Sequence, residues 1–244
     1  MFAEMISVII PTFNEAHSIS QTLDAINELR GQTEVIVVDG GSVDETVEIV
    51  RGRGVRVITG ERGRGSQMHA GACAARGDAL LFLHADTHPS PDAAERIAEV
   101  LRDAGVVGGN FSVRFDGDRR AARFLTWLYP QLRKLGLCYG DSGIFVRHAV
   151  YDEIGGFRPH PIFEDLDLVR RLRRRGRIVH LPAVVVTSSR RFEDRSFALT
   201  FARWASLQVL YWLGVSPFAL SRLYAPIRGR SEKTERGDDA EKAC

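Results

Sequence analysis

The chain has 244 residues, 44 % of them hydrophobic, which is enough for one globular domain with a full core. Its formal net charge of +2 excludes the broad basicity of a chain built to coat nucleic acid, and only three of its 33 basic residues are lysine. The cysteines, Cys73, Cys138 and Cys244, are odd in number and far apart, so they form neither a disulfide framework nor a metal cluster and fit a reducing cytoplasm.

The N-terminal stretch lacks a basic start, and its apolar run ends at Pro11, so it does not read as a signal peptide. Met5–Ile10 predicts a strand buried on both faces, closed by Pro11, which cannot donate to the ladder. Ile19, Leu23, Ile26 and Leu29 recur at helical spacing. Glu34–Val38 predicts a second strand. Ser42 with Glu45 has the spacing of a capping box, opening a helix with Val43, Val47 and Val50 on one face. Val55–Ile58 is a third strand, and Ser66 is placed to cap a helix rich in alanine and glycine. Ala79–Leu83 is a fourth strand, and Ser90-Pro91 opens a further helix. Beyond it come a strand at Val106–Phe115, a helix at Arg119–Leu135, strands at Ile144–Arg147 and Ile178–Val186 around a helix at Phe163–Arg175, and helix to about Tyr224. The polar tail 228–244 has the composition of a disordered segment. This order predicts an α/β fold around a mostly parallel, Rossmann-like sheet with a helical C-terminal extension. The division expected is one domain over 1–227, with a nucleotide-binding half of about 1–104 and an acceptor half of about 105–227.

In such sheets ligands bind beyond the carboxyl ends of the strands. Pro11-Thr12-Phe13-Asn14-Glu15 follows the first strand. Glu15 there is either a ligand contact or an acid favoured by a helix dipole. Asp39, followed by two glycines, either shapes a turn or accepts from a base imide or a ribose hydroxyl. Arg62, Arg64 and Gly65 follow the third strand at a helix start, a pattern that suits an anion. The dinucleotide fingerprint fails here, because Met68 stands where its third glycine belongs. His84-Ala85-Asp86 follows the fourth strand, where an acid can hold a hard cation or cap a turn. Asp165, Leu168, Val169 and Leu172 share one helical face, so Asp165 points inward and suits a general base, while Glu164, Asp167 and Arg171 point elsewhere, the last two as a surface pair. His69, His148 and His180 read as structural, and Arg170–Arg177 as a solvated face.

The ordered set ISVIIPTFNE, VIVVDGGSVDET, the acid after the fourth strand and FEDLDLVRRLRRRG resembles glycosyltransferase family 2, of GT-A fold. The likeness runs from about Ile6 to Arg177. The stretches RGRGSQMHAGA, LLFLHADT, GDSGIFVRH and TSSRRFE resemble, within it, a bacterial subgroup of radical-SAM/selenodomain-associated transferases. The resemblance implies a nucleotide-sugar donor held by the Pro11–Glu15 segment with Phe13, by Asp39, by Arg62, Arg64 and Gly65 near the diphosphate, by His84 and Ala85, and by Gly140-Asp141. It implies Asp86 as the residue for Mn2+ or Mg2+, Asp165 of the Glu164-Asp165 pair as catalytic base, and an inverting reaction. This chain departs from the family's Asp-x-Asp motif by placing His84 at its first position. A nucleotidyltransferase would carry a glycine-rich, lysine-containing loop where PTFNE stands; an inactive nucleotide-binding or membrane-docking module is the non-enzyme alternative. In 197–224, Phe197, Phe201, Trp204, Leu207 and Tyr211 recur at helical spacing, near Arg190, Arg191, Arg195 and Arg203. This stretch fits a headgroup layer at the inner membrane face, serving a lipid-linked acceptor, or packing on the sheet or in a homodimer; a helix apolar almost all round favours packing.

Overall fold

The computed structural model describes residues 5–116, 120–134, 140–188 and 197–223. Its first half alternates strand and helix: β1 (Met5–Thr12), α1 (Ile19–Asn27), β2 (Gln32–Asp39), α2 (Thr46–Gly52), β3 (Arg56–Thr59), α3 (Arg64–Ala74) and β4 (Ala79–Phe82). There follow β5 (Thr87–Pro89), α4 (Ala93–Val100), β6 (Val106–Phe115), α5 (Arg120–Lys134), a 3-10 turn at Gly140–Ser142, β7 (Ile144–Arg147), α6 (His148–Glu153), α7 (Glu164–Leu172), β8 (Arg177–Thr187), α8 (Phe197–Trp212) and α9 (Pro217–Leu223).

The eight strands form one sheet in the order β3-β2-β1-β4-β7-β6-β8-β5. The pairs among β3, β2, β1 and β4 are parallel, as their alternation with helices predicts. Beyond them β7 runs antiparallel to both β4 and β6, and β6 pairs in parallel with β8 through two irregularities. Helices cover both faces. Ile6, Val8 and Ile10 face α1, α2, α4 and α5 through Ile19, Leu23, Val50, Ile97 and Leu125. Ile9, Ile36, Val38 and Phe82 face α3, α6 and α7 through Met68, Tyr151, Leu168 and Leu172. The small residues of α3 have a steric cause: a Cβ on Gly71 would lie 2.4 Å from Ile9 and 2.9 Å from Val38. Only a glycine lets this helix come so close to the strands.

Several local expectations are corrected. Pro11 does not end β1: it pairs with Val38, and the strand continues to Thr12. Ile9 bonds toward β4, its carbonyl accepting from Leu83. Pro11 shares that parity, but β4 has ended at Phe82, so the missing N–H costs no ladder bond. No capping box forms at Ser42. Its hydroxyl serves Asp39 instead, Val43 is 86 % exposed, and Asp44 accepts the Thr46 N–H just ahead of α2. Likewise α3 starts at Arg64, before Ser66, and α4 starts two residues past Pro91, with Asp92 at its N-cap. The edge strand β5 and the short helix α6 carry no periodicity that predicts them.

The C-terminal helices add a small separate core. Leu207 and Leu220 are buried against Ile162, Phe163 and Leu166, with Trp204 and Tyr211 packed around them. The aromatic stripe of α8 therefore faces inward. Phe197's side chain, residues Arg190, Arg191 and Arg195 and the tail 228–244 lie outside what is described. Among the described residues no helix is long and apolar enough to cross a membrane.

Candidate active site

The carboxyl ends of β1 and β4 and the start of α3 converge on one cleft. It is lined by Pro11, Thr12, Phe13, Glu15, Arg64, Gln67, His84, Ala85, Asp86, Phe115, Asp141, Thr187 and Ser188. The loops around it are tied by side chains. Asn14 adopts a left-handed φ of 57°; its N–H donates to Ser42 Oγ at 2.9 Å and its Oδ1 accepts from the Val43 N–H at 2.9 Å. Asp39 is buried and accepts from the Gly41 and Ser42 amides at 2.9 Å, the Ser42 hydroxyl at 2.5 Å and the Thr12 hydroxyl at 3.3 Å. It shapes the Gly40-Gly41 turn, as a turn acid does. Glu15 lines the cleft and accepts from the Ser18 hydroxyl at 2.8 Å. Gln67, which sequence reasoning passes over, donates from Nε2 to the carbonyls of Thr12 and Val38, both at 2.8 Å, and accepts from the Gly63 N–H. It pins the loop before α3 to the ends of β1 and β2. Arg62 lies with its guanidinium 3.8 Å from the centre of the Phe13 ring.

The acids of α7 sit beside this cleft. Phe163, the residue before the helix, holds a left-handed φ of 61°, a costly conformation for a bulky side chain. Its ring stacks on Tyr211 of α8 at 4.8 Å. Asp165, 8 % exposed, accepts from the Gly140 N–H at 2.7 Å on Oδ2 and from the Leu166 N–H at 2.8 Å on Oδ1. Burial, and next the charge of Glu164, push its carboxyl up from 3.8 to about 6, against the opposing pull of Arg64 and these two amides. Glu164, expected to point away, is 2 % exposed; it pairs with Arg64 at 2.9 Å through Oε1, while its buried Oε2 lacks a hydrogen-bond partner. Asp167 and Arg171 do pair, at 2.8 Å, but both are largely buried, and Arg171 also donates to the carbonyls of Ile154 and Gly156. That pair anchors α7 to the loop after α6, and a surface role is excluded.

A third group spans the cleft wall. His84 Nδ1 lies 3.0 Å from Asp141 Oδ1, and the Tyr129 hydroxyl donates to Asp141 Oδ2 at 3.0 Å. A Cβ on Gly140 would stand 3.0 Å from His84 Nε2 and 3.5 Å from Asp165 Oδ2. The bare glycine therefore leaves a notch between the histidine and the acid.

Of the residues singled out by sequence, Pro11, Phe13, Glu15, Arg64, His84, Ala85, Asp86 and Asp141 line the cleft together. Asp39, Arg62, Gly65, Gly140, Glu164 and Asp165 are not on its wall. Asp39 acts through its turn, and Gly65 faces the Arg158 carbonyl and Glu164. Asp165 lies behind Gly140, whose N–H donates to its Oδ2. Phe115, Thr187 and Ser188 are additions. They end β6 and β8, so the strand-end rule would have found them had it been carried into the second half.

Asp86 is the residue suited to a cation. Its half-buried carboxylate lines the cleft and makes no hydrogen bond or ion pair to a described residue. Among the described residues no cluster of three or more His, Cys, Asp or Glu is placed to cage a metal. Mg2+ is commonly held by one or two carboxylates together with substrate phosphates and water, and this donor set fits that pattern. The imidazole that lines the same cleft, His84, already has Nδ1 engaged by Asp141.

A family model described as Glycosyl transferase family 2 matches residues 7–152. Glycosyltransferase AglE of Haloferax volcanii is 30 % identical over 173 residues, covering 64 % of this chain and 57 % of that relative. Undecaprenyl-phosphate 4-deoxy-4-formamido-L-arabinose transferase of Edwardsiella ictaluri is 32 % identical over 160 residues, covering 59 % of this chain and 48 % of the relative. The matches thus span about half the length of these relatives. Among solved structures, the mannosyltransferase PcManGT from Pyrobaculum calidifontis in complex with GDP-Man and Mn2+ superposes with a TM-score of 0.65 at 22 % identity, over 91 % of this chain and 65 % of that one, a likeness of fold.

Proposed function

This chain belongs to glycosyl transferase family 2, and on that premise we propose that it moves a sugar from a nucleotide-sugar donor to an acceptor hydroxyl, with inversion at the anomeric carbon. The observation that carries the reading is the cleft at the carboxyl ends of the parallel strands, which Asp86, an acid with no described partner, lines together with Arg64 at the start of α3, with a second acid of raised proton affinity behind a glycine notch.

The nucleoside lies against Phe13 and Glu15, with Asp39 holding the turn beneath it. Arg62 and Arg64 supply positive charge near the diphosphate. Asp86 holds Mn2+ or Mg2+, whose chemistry when bound is to neutralise charge on the leaving diphosphate. Asp165 is the base: each of its oxygens keeps a lone pair beyond the one given to a backbone amide. The acceptor hydroxyl reaches Oδ2 through the Gly140 notch. Its oxygen bonds to the anomeric carbon as its proton passes to Asp165, and the nucleoside diphosphate departs. Burial suits this step, because a base works best with a pKa close to the working pH. Glu164 acts through charge: it holds Arg64 and keeps the Asp165 proton affinity high.

The relative from Edwardsiella ictaluri is named for transfer to undecaprenyl phosphate, and a lipid-linked acceptor is the reading adopted for this chain. It divides into a donor half of about 1–104 and an acceptor half of about 105–227, within the subgroup of radical-SAM/selenodomain-associated transferases that its motifs resemble.

Calorimetry with UDP and GDP, with and without Mn2+, tests the reading. A nucleoside diphosphate should bind, and Mn2+ should tighten it. Asp86→Ala should remove the Mn2+-dependent part while leaving the weaker metal-free binding. Unchanged Mn2+-dependent affinity in this variant would reduce Asp86 to a turn residue.

A further inference from the structure

The outer surface formed by α5, α8 and α9 has a composition the catalytic reading does not use. The inward stripe of α8 is occupied by Leu207, Trp204 and Tyr211. Yet large apolar side chains also stand on the outside: Val209, Trp212 and Leu213 at the end of α8, Phe218 and Leu223 on α9, and Phe124 and Trp127 on α5, the last 61 % exposed. Helices α5 and α8 meet edge to face, Phe124 against Phe201 at 5.9 Å, with Trp127 beside Phe124 on the outside. Exposed apolar side chains gathered in this way mark an interaction site.

Charge says what covers it. None of the three helices contains an Asp or Glu, although the whole chain carries 31 acids. The charged side chains described on them are Arg123, Arg203 and Arg222, all exposed. Tryptophans and phenylalanines flanked by arginines, on helices without an acid, match the boundary between acyl chains and anionic headgroups. A second copy of this chain would bring arginine against arginine across such a face.

Position links the face to the cleft. From α5, Tyr129 donates to Asp141 and stacks edge to face on Phe115, both cleft-lining residues. From α8, Tyr211 stacks on Phe163, immediately before Glu164 and Asp165. The same helices that show apolar surface outward hold the acceptor side of the cleft inward.

We infer that the α5–α8–α9 face docks on an anionic lipid surface, bringing the Asp165 side of the cleft to an acceptor carried in that surface. This rests on the lipid-linked acceptor reading above, and no helix needs to cross the bilayer for it. The test is flotation of the full chain with vesicles of phosphatidylglycerol and phosphatidylethanolamine, against vesicles of phosphatidylcholine alone. The protein should rise with the anionic vesicles at low salt and fall away as salt is added. Arg123→Gln and Arg222→Gln should each weaken partitioning about fivefold. The triple variant Trp127→Ser, Trp212→Ser, Phe218→Ser removes exposed groups only, so it should fold, bind UDP or GDP with Mn2+ as the parent does, and stay at the bottom of the gradient. Parent protein that stays at the bottom at low salt overturns the inference. So does a parent dimer, seen by light scattering, that the triple variant converts to monomer, since a second copy would then own the face. Vesicle binding without nucleoside diphosphate binding would leave the surface standing and sink the transferase reading instead.

Discussion

The proton affinity of Asp165 should respond in opposite senses to its two charged neighbours. Its carboxyl is raised from 3.8 to about 6, chiefly by burial and next by Glu164, while Arg64 pulls it down. The rise of roughly two units corresponds to about 3 kcal/mol between the two protonation states. Glu164→Gln removes the like charge and leaves burial in place, so the acid limb of kcat/KM should move below pH 6 but stop short of 3.8. At pH 5 about a tenth of the parent Asp165 is ionised, so the variant's gain there is capped at about tenfold, with no gain at pH 8. Arg64→Met removes the opposing charge and should carry the limb upward. Donor hydrolysis measured from pH 4.5 to about 8.5 resolves both shifts. A limb that stays put in Glu164→Gln, or falls in Arg64→Met, would refute the electrostatic account. The same shift bears on folding. Because the folded carboxyl holds its proton more tightly than the unfolded one, its contribution to stability is full below pH 3.8, declines as pH rises through about 6, and is level above that.

Asp165→Asn keeps the shape but cannot take a proton, and should lower turnover by about 10²–10⁴-fold with donor affinity little changed; single-turnover kinetics beside calorimetry separate the two. Gly140→Ala should mimic that loss, because its methyl would stand 3.0 Å from His84 Nε2 and close the notch toward Asp165 Oδ2; wild-type turnover would show that acceptors do not pass that way. Gln67→Leu strips both Nε2 hydrogen bonds from the Thr12 and Val38 carbonyls and should cost about 1–3 kcal/mol, read as a melting temperature lower by several degrees with a raised donor KM.

The parallel half of the sheet is legible because strands covered on both faces carry short apolar runs at their buried ends, and Val8–Ile10, Val35–Val38 and Ala79–Phe82 are such runs. The reversal at β7 is not legible. Ile144–Arg147 would look the same in either direction, and only its pairing with β4 and β6 decides it. The edge strand β5 is Thr-His-Pro, three residues with no apolar alternation. Ser42 misleads because a capping box and an Asx-type turn draw on the same residue types; the neighbour that captures its hydroxyl, Asp39, lies three residues upstream. The strand-end rule reaches the cleft acids, but the contact that conditions Asp165 comes from the Gly140 amide, 25 residues before it, and no local pattern encodes that. Glu164 was legible as an acid and not as a buried one: one residue away from the apolar stripe, it is covered by Arg64 from a different helix.

Among the described residues, two that are not glycine are held at left-handed φ, Asn14 and Phe163, and each stands immediately before a site acid, Glu15 and Glu164. Asparagine tolerates that geometry and its own side chain secures it. Phenylalanine does not, and it stays there because the Tyr211 ring and the small C-terminal core hold it. Any fluctuation that lifts α8 also lets Phe163 relax, so opening the first turn of α7 costs less than opening the sheet beneath it. Backbone amides such as those of Leu166 and Asp167 should therefore exchange with solvent well before those of β1 and β2. In a chain docked through α8, the surface that captures the acceptor would also be the surface that quiets this turn.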